Sequence, residues 1–250
     1  MEKKNYSVCI TTFSKRYSYV EKLVGQVRSL TTCDILIAVN GDYNQDFNDD
    51  YRKQILELCL RFNNVYPIFF PEQRGLSKLW NTLVVHSKQD WCLMLNDDVE
   101  MDNDEVFTMT IPGLGDKPDL RRINGSFSHF LIHKDCLDEL GYFDERLLGF
   151  GEEDGDIFYR YIETYNQWIQ DAWVHGFHNL VIDVRDENIK SGIGKYSEFN
   201  RNFCFVNEVC KYVSFSEGIT GSFGQPMKKN IEDLNQYPYE KFFKENKGKL

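Results

Sequence analysis

The run Trp91-Cys92-Leu93-Met94-Leu95 is apolar at every position and stops abruptly at Asn96, Asp97 and Asp98. A strand with no polar alternation offers no face to water, so it must be covered on both sides. Two carboxylates at the end of such a strand repel one another and resist desolvation unless something compensates them. Three explanations are open at this point: a cation, an N-cap for the next segment, or a basic neighbour. A hard divalent metal shared with phosphate oxygens is the most specific of them.

The residues before this run alternate between strand and helix signals. Tyr6 to Thr12 reads as a first strand that enters a polar loop at Thr11, Thr12 and Phe13. Ser18 with Glu21 forms a capping-box pattern for a helix carrying Val20, Leu23, Val24, Val27 and Leu30 at helical spacing. Asp34 to Val39 is a second buried strand, ending in the turn signal Asn40-Gly41-Asp42. Asp49 to Phe62 reads as a second helix, and Val65 to Phe70 as a third strand that Pro67 marks as bent or near an edge. After Arg74 and Gly75, Ser77 is placed to cap a third helix with Leu79, Trp80, Leu83 and Val84 on its apolar side.

Four strands separated by three helices predict an α/β fold with a mostly parallel sheet covered on both faces. In such sheets ligands bind outside the carboxyl ends of the strands. Thr11 to Phe13, Asn40 to Asp42, Arg74, and Asp97 with Asp98 all fall at or near that edge.

Composition narrows the function. A chain of 250 residues with 42% hydrophobic and 15% aromatic residues can bury one substantial core. The formal net charge of -10 argues against a nucleic-acid partner, which requires a basic face. Seven scattered cysteines without a Cys-x-x-Cys pattern read as buried thiols of a reducing compartment. With no long apolar segment in the sequence, a cytoplasmic protein is expected.

The second half changes character. Ile111 to Asp119 is a Pro/Gly-rich loop, Asn124 to His133 alternates as a strand does, and Asp135 is placed to cap a short helix ended by Gly141. Glu152, Glu153, Asp154 and Asp156 then crowd four acids into five positions, flanked by Gly149, Gly151 and Gly155. Acids favour a helix N-terminus through its dipole, which is the bland explanation for this cluster.

The stretches SVCITTFSKR, EQRGLSKLWN, LNDDV and GYFDERLLGFGEEDGD, in this order, resemble glycosyltransferases of the A-type fold. They are most similar to the inverting family 2 group that builds bacterial surface polysaccharides. The resemblance covers about residues 6 to 180. It implies a nucleotide-sugar-binding and catalytic core over residues 1–180, with an acceptor and lid extension over 181–250.

It also implies roles for individual residues. Asp98 matches the family's ligand for Mn or Mg, an ion that neutralises the leaving pyrophosphate. Asp97 matches the acid that meets the ribose or shares the metal shell. Asn96 stands where the family pattern usually has an acid. Asp154 matches the base that deprotonates the acceptor hydroxyl, and the acids around it are expected to raise its pKa. Glu153 matches an acceptor-binding acid. Thr11 and Phe13 match positions that line the base, Asn40 stands where relatives often have an Asp reading the uracil edge, and Arg74 matches a cation near base and phosphates. His175 resembles a histidine that relatives place near the metal, with His178 as a rival.

The expected activity is metal-dependent inverting transfer from a nucleotide sugar, a UDP-sugar foremost, to a saccharide or lipid-linked saccharide in capsule or lipopolysaccharide synthesis. Two other readings stand beside it. A non-catalytic nucleotide-sugar- or glycan-binding scaffold is supported by Asn96. A nucleotidyltransferase would need a glycine-rich basic loop after the first strand, and TTFSKRYS contains Lys15 and Arg16 but no glycine. In the last segment, helical patches run from Phe203 to Tyr212 and a Gly/Ser-rich interval from Ser214 to Gln225. The final YPYEKFFKENKGKL interleaves aromatics with lysines, a pattern suited to peripheral contact with an anionic membrane or to a solvated tail packed on the domain.

Overall fold

The computed structural model describes residues 5–14, 16–41, 48–115, 117–145, 147, 149 and 151–180. The expectations for Lys15, Asp42 and everything from residue 181 onward, the extension and tail included, lie outside the described residues. The described residues divide into two compact units, one from within 1–74, 79–136 and 170–182, the other from within 75–78, 137–169 and 183–250.

The first unit is built on a seven-stranded sheet. Its strands are β1 (Tyr6–Thr12), β2 (Asp34–Val39), β3 (Val65–Phe69), β4 (Trp91–Asn96), β6 (Leu120–Ile123), β7 (Ser126–His133) and β8 (Gln170–Ala172), in the order β3-β2-β1-β4-β7-β6-β8. β3, β2, β1 and β4 run parallel, as their intervening helices require, and β7 joins β4 antiparallel. Pro67 lies in β3 at the edge of the sheet, where a missing N–H costs no ladder bond on the open side. A separate ribbon pairs β5 (Val99–Met101) with β9 (Phe177–Asn179) directly after the two aspartates.

The helices are α1 (Tyr17–Leu30), α2 (Asp49–Arg61) and α3 (Leu76–His86). α1 buries Val20, Leu23, Val24 and Val27, the stripe its spacing predicts, against Val8, Ile10, Leu93 and Leu95 of the sheet. Full burial of each such aliphatic side chain stabilises the fold by about 1.5–3 kcal/mol.

Two helix starts differ from expectation. α1 begins at Tyr17 with Arg16 at its N-cap and no side-chain cap, so Ser18 lies inside the first turn instead of capping it. The reason is that Arg16 is drawn to Asp97 and fixes where the chain enters the helix. α3 likewise begins at Leu76, ahead of Ser77, whose hydroxyl is buried without a partner among the described residues. β6, beside the Pro/Gly-rich loop, forms a hairpin with β7 that the alternation of the latter alone did not reveal.

In the second unit, Gly141 follows α4 (Lys134–Leu140) with φ 87° and donates its N–H to Leu137 O, ending the helix in a left-handed turn. α5 (Glu153–Tyr165) then carries Glu153, Asp154 and Asp156 in its first turn, where the helix dipole favours them.

Candidate active site

Parallel pairing of β4 with β1 sets Asn96 opposite Thr11, and that register places the chemistry at the carboxyl edge. Thr11 Oγ1 donates to Asn96 Oδ1 at 3.2 Å, so Asn96 ties the two strand ends together. Thr12 Oγ1 donates to Asp97 Oδ2 at 2.7 Å and lies 2.8 Å from Tyr51 Oη. Because the threonine's proton is spent on Asp97, the Tyr51 hydroxyl donates to Thr12.

Asp97 is 3% exposed and is held by a residue that the family resemblance did not assign. Arg16 Nε lies 2.8 and 2.9 Å from the two Asp97 oxygens, and its Nη2 lies 2.6 Å from Oδ1. The guanidinium carbon sits 5.0 Å from the ring centroids of both Phe13 and Tyr19, so the cation is bracketed by aromatic faces. Burial pushes the Asp97 carboxyl up while Arg16 and Thr12 pull it down, leaving it at about 6 and ionised at neutral pH. The signal was present in the chain: a buried carboxylate pair calls for a basic neighbour, and Arg16 follows the loop after β1.

Asp98 is treated differently. Its Oδ2 is 3.5 Å from Arg16 Nη2, while its Oδ1 is buried with no hydrogen-bond partner among the described residues. An orphaned carboxylate oxygen next to a satisfied pair fits a hard cation. Among the described residues no group of three or more His, Cys, Asp or Glu converges to enclose an ion.

His175 is not brought to this point. The β5–β9 ribbon pairs Val99 with Asn179, and Leu180 N–H donates to Asp98 O, whereas Asp102 N–H donates to Gly176 O at the far end. Asp102 is four steps along the chain from Asp98, across the three residues of β5, which is roughly 13 Å at about 3.3 Å per residue. His175 is 92% exposed and pairs with Glu105 at 3.5 Å, and His178 pairs with Asp102 at 2.9 Å. Neither histidine is positioned to share an ion with Asp98.

Asn40 and Arg74 come together through the main chain. The Asn40 amide bridges both peptide groups of Arg74, at 2.9 Å to its carbonyl and 2.8 Å from its N–H. The Arg74 side chain is half exposed and pairs with Glu72 at 3.1 Å.

The second unit holds the other acids. Glu152 precedes α5 with φ 73°, a left-handed conformation that costs a non-glycine residue about 1–3 kcal/mol and tends to persist where function requires it. Glu153 is 6% exposed and accepts from Gly151 N–H at 2.6 Å. Burial, followed by the negative charge of Asp154, pushes its carboxyl up to about 8. The raised pKa expected from crowded acids is thus found on Glu153. Asp154 is partly exposed and accepts from Gly155 N–H at 2.9 Å. Asp156 is buried against Arg160, whose Nη2 lies 2.6 Å from Oδ2 and whose Nη1 donates to Leu140 O, tying α5 to the end of α4.

The comparisons with known proteins meet this geometry at the sheet. Residues 7–118 match the family model described as Glycosyl transferase family 2. The match spans 112 of the chain's 250 residues, and over that stretch the chain is similar to this family. No curated protein sequence matches the chain. Among solved structures, it resembles residues 1–349 of TarS from S. aureus in complex with UDP-GlcNAc, at 14% identity and a TM-score of 0.56 over 75% of this chain and 61% of that one. It also resembles the mannosyltransferase PcManGT from Pyrobaculum calidifontis in complex with GDP-Man and Mn2+, at 9% identity and 0.56 over 70% of this chain and 57% of that one. A third is glucosyl-3-phosphoglycerate synthase from Mycobacterium tuberculosis with Mn2+, UDP and glucosyl-3-phosphoglycerate, at 10% identity and 0.52 over 74% and 75%. The chain thus has the A-type glycosyltransferase fold and spans about three-fifths of the first two of these structures. Among the described residues no helix is long and apolar enough to cross a membrane.

Proposed function

We propose that the protein transfers a sugar, with inversion, from a nucleotide-sugar donor to a saccharide or lipid-linked saccharide acceptor in surface-polysaccharide synthesis. The observation that carries this reading is the buried, unpartnered Asp98 oxygen at the carboxyl end of β4, within the stretch similar to family 2. Asp98 would hold a Mn or Mg ion together with the donor's diphosphate oxygens, and that ion supplies Lewis-acid stabilisation of the leaving group. The solved relatives were captured with UDP-GlcNAc, with GDP-Man and Mn2+, and with UDP and Mn2+, which supports a nucleoside diphosphate at this edge.

Thr11 and Phe13 would line the base, Arg74 would face base or phosphates, and Asp97, already clamped by Arg16, would hold the shape of the turn that presents Asp98. On the second unit, Asp154 is the proposed base for the acceptor hydroxyl. Glu153, neutral below about pH 8, would donate a hydrogen bond to the acceptor. Asn96 carries little weight for a scaffold role, because its amide oxygen is employed in joining β4 to β1.

The test is a thermal-shift screen against UDP-, GDP-, dTDP- and CMP-sugars with Mn, Mg or a chelator, since ligands of the folded state raise its melting temperature. One nucleotide class is expected to give a shift that chelation removes and Asp98→Ala abolishes. Asp154→Asn is expected to keep that shift and to lower transfer by about 10²–10⁴-fold. An Asp154→Asn protein with most of its turnover would remove Asp154 from the role of base.

A further inference from the structure

The residue directly after β2 is joined to the segment after β3 through a single side chain. Asn40 is 5% exposed, and each of its amide atoms has a partner on the same residue. Nδ2 donates to Arg74 O at 2.9 Å, and Oδ1 accepts from Arg74 N–H at 2.8 Å. The Asn40 N–H donates to Thr12 O and the Phe70 N–H to Val39 O, so the backbone around this pair is stitched to β1 and β3 as well. Gly41 completes the contact. A Cβ there would lie 2.3 Å from the carbonyl carbon of Glu72 and 2.6 Å from its Cα, a separation that only glycine permits.

With one N–H and one oxygen lone pair turned to the Arg74 main chain and the residue 5% exposed, the Asn40 amide has little polar surface left to meet a nucleobase. The pair is also specific to asparagine. A carboxylate could accept from the Arg74 N–H, but it would set a second negative oxygen against the Arg74 carbonyl with no proton between them. The Arg74 guanidinium, by contrast, is half exposed on a main chain that Asn40 holds still.

We propose that Asn40 is a positioning residue that acts through Arg74, fixing its main chain so that the guanidinium meets the donor, and that position 40 does not select the base. The inference rests on the nucleotide-sugar reading above. Selection among bases then falls to other groups of the first unit.

The experiment is calorimetric titration of the full chain with UDP, GDP, dTDP and CDP in the presence of Mn, with melting temperatures recorded in parallel. The variants are Asn40→Asp, Arg74→Ala and the double variant. Asn40→Asp is expected to weaken all four diphosphates by a common factor of about 5–10, the scale of one lost hydrogen bond with repulsion added. In the Arg74→Ala background the same change is expected to cost less than about twofold, because the effect runs through the missing guanidinium. Asn40→Ser, which dissolves the pair without adding a charge, serves the same cycle if the aspartate variant does not fold. A variant that shifts the preference among the four bases, or an equal loss with and without the Arg74 side chain, overturns the inference while leaving the nucleotide reading intact. A wild-type protein that binds none of the four overturns the nucleotide reading itself, and this inference with it.

Discussion

At the end of β4, Asp97 stays ionised in a buried setting because Arg16 and Thr12 donate to it. At the start of α5, Glu153 is equally buried, but it has a backbone N–H for a partner and Asp154 for a neighbour, and its carboxyl is held protonated up to about pH 8. Both regions crowd acids at the end of an element. One neutralises the charge with a cation from another element, and the other suppresses it by keeping the proton. The difference follows from what each backbone offers. The β4 terminus lies beside the loop after β1, which supplies an arginine, whereas the first turn of α5 supplies N–H groups and its own acids. A counter-charged carboxylate can present a neighbour such as Asp98 to a metal, and a protonated one can donate to a hydroxyl.

The largest effect is expected from breaking the first arrangement at its cation. Arg16→Met leaves Asp97 as an uncompensated buried charge and should destabilise the protein by about 3–5 kcal/mol in urea denaturation, with much of this restored by adding Asp97→Asn. Equal stability of Arg16→Met and wild type would show that the pair contributes nothing to holding the turn.

Glu153→Gln probes the second arrangement through pH. The folded-state pKa of about 8 lies above the ordinary 4.5, so between these values the unfolded chain has released a proton that the folded chain keeps. Wild-type stability therefore falls as pH rises through this window, and Glu153→Gln removes that slope. The stability of the variant relative to wild type should rise from about pH 4.5 to about pH 8 and level off above. A flat difference would mean that Glu153 is ionised in the fold.

The smallest expected effect is that of Thr12→Val, which removes one hydrogen bond to a carboxylate that Arg16 still holds. A loss of about 1.5–3 kcal/mol is expected, and it should shrink in an Asp97→Asn background. A full loss there would assign the role of Thr12 to Tyr51 instead of Asp97.

Much of the first unit was legible in the chain. The four parallel strands and three helices follow from periodicities of a few residues, and Pro67 marked the third strand as bent or near an edge, of which the sheet shows the edge. The sequence placed Thr11, Asn40, Arg74, Asp97 and Asp98 at the carboxyl edge because each directly follows, ends or lies near the end of an apolar run. The missed features involve partners that are distant in sequence. A capping box at Ser18 and Glu21 is a sound local pattern, but Arg16 is pulled to an acid 81 positions away. His175 carries a motif-level resemblance to a metal ligand, and the register of the β5–β9 ribbon alone sets it at the wrong end.

The sequence by itself determined the alternation of elements, the burial of β4 and the likeness to family 2 glycosyl transferases over residues 7–118, since these depend on side-chain order along the chain. Only the tertiary structure decided which acid carries a counter-charge, which keeps its proton and which amide is already engaged. Those outcomes depend on groups that strand order and register bring within 3 Å of one another, such as Thr12 with Asp97 across 85 residues and Asn40 with Arg74 across 34.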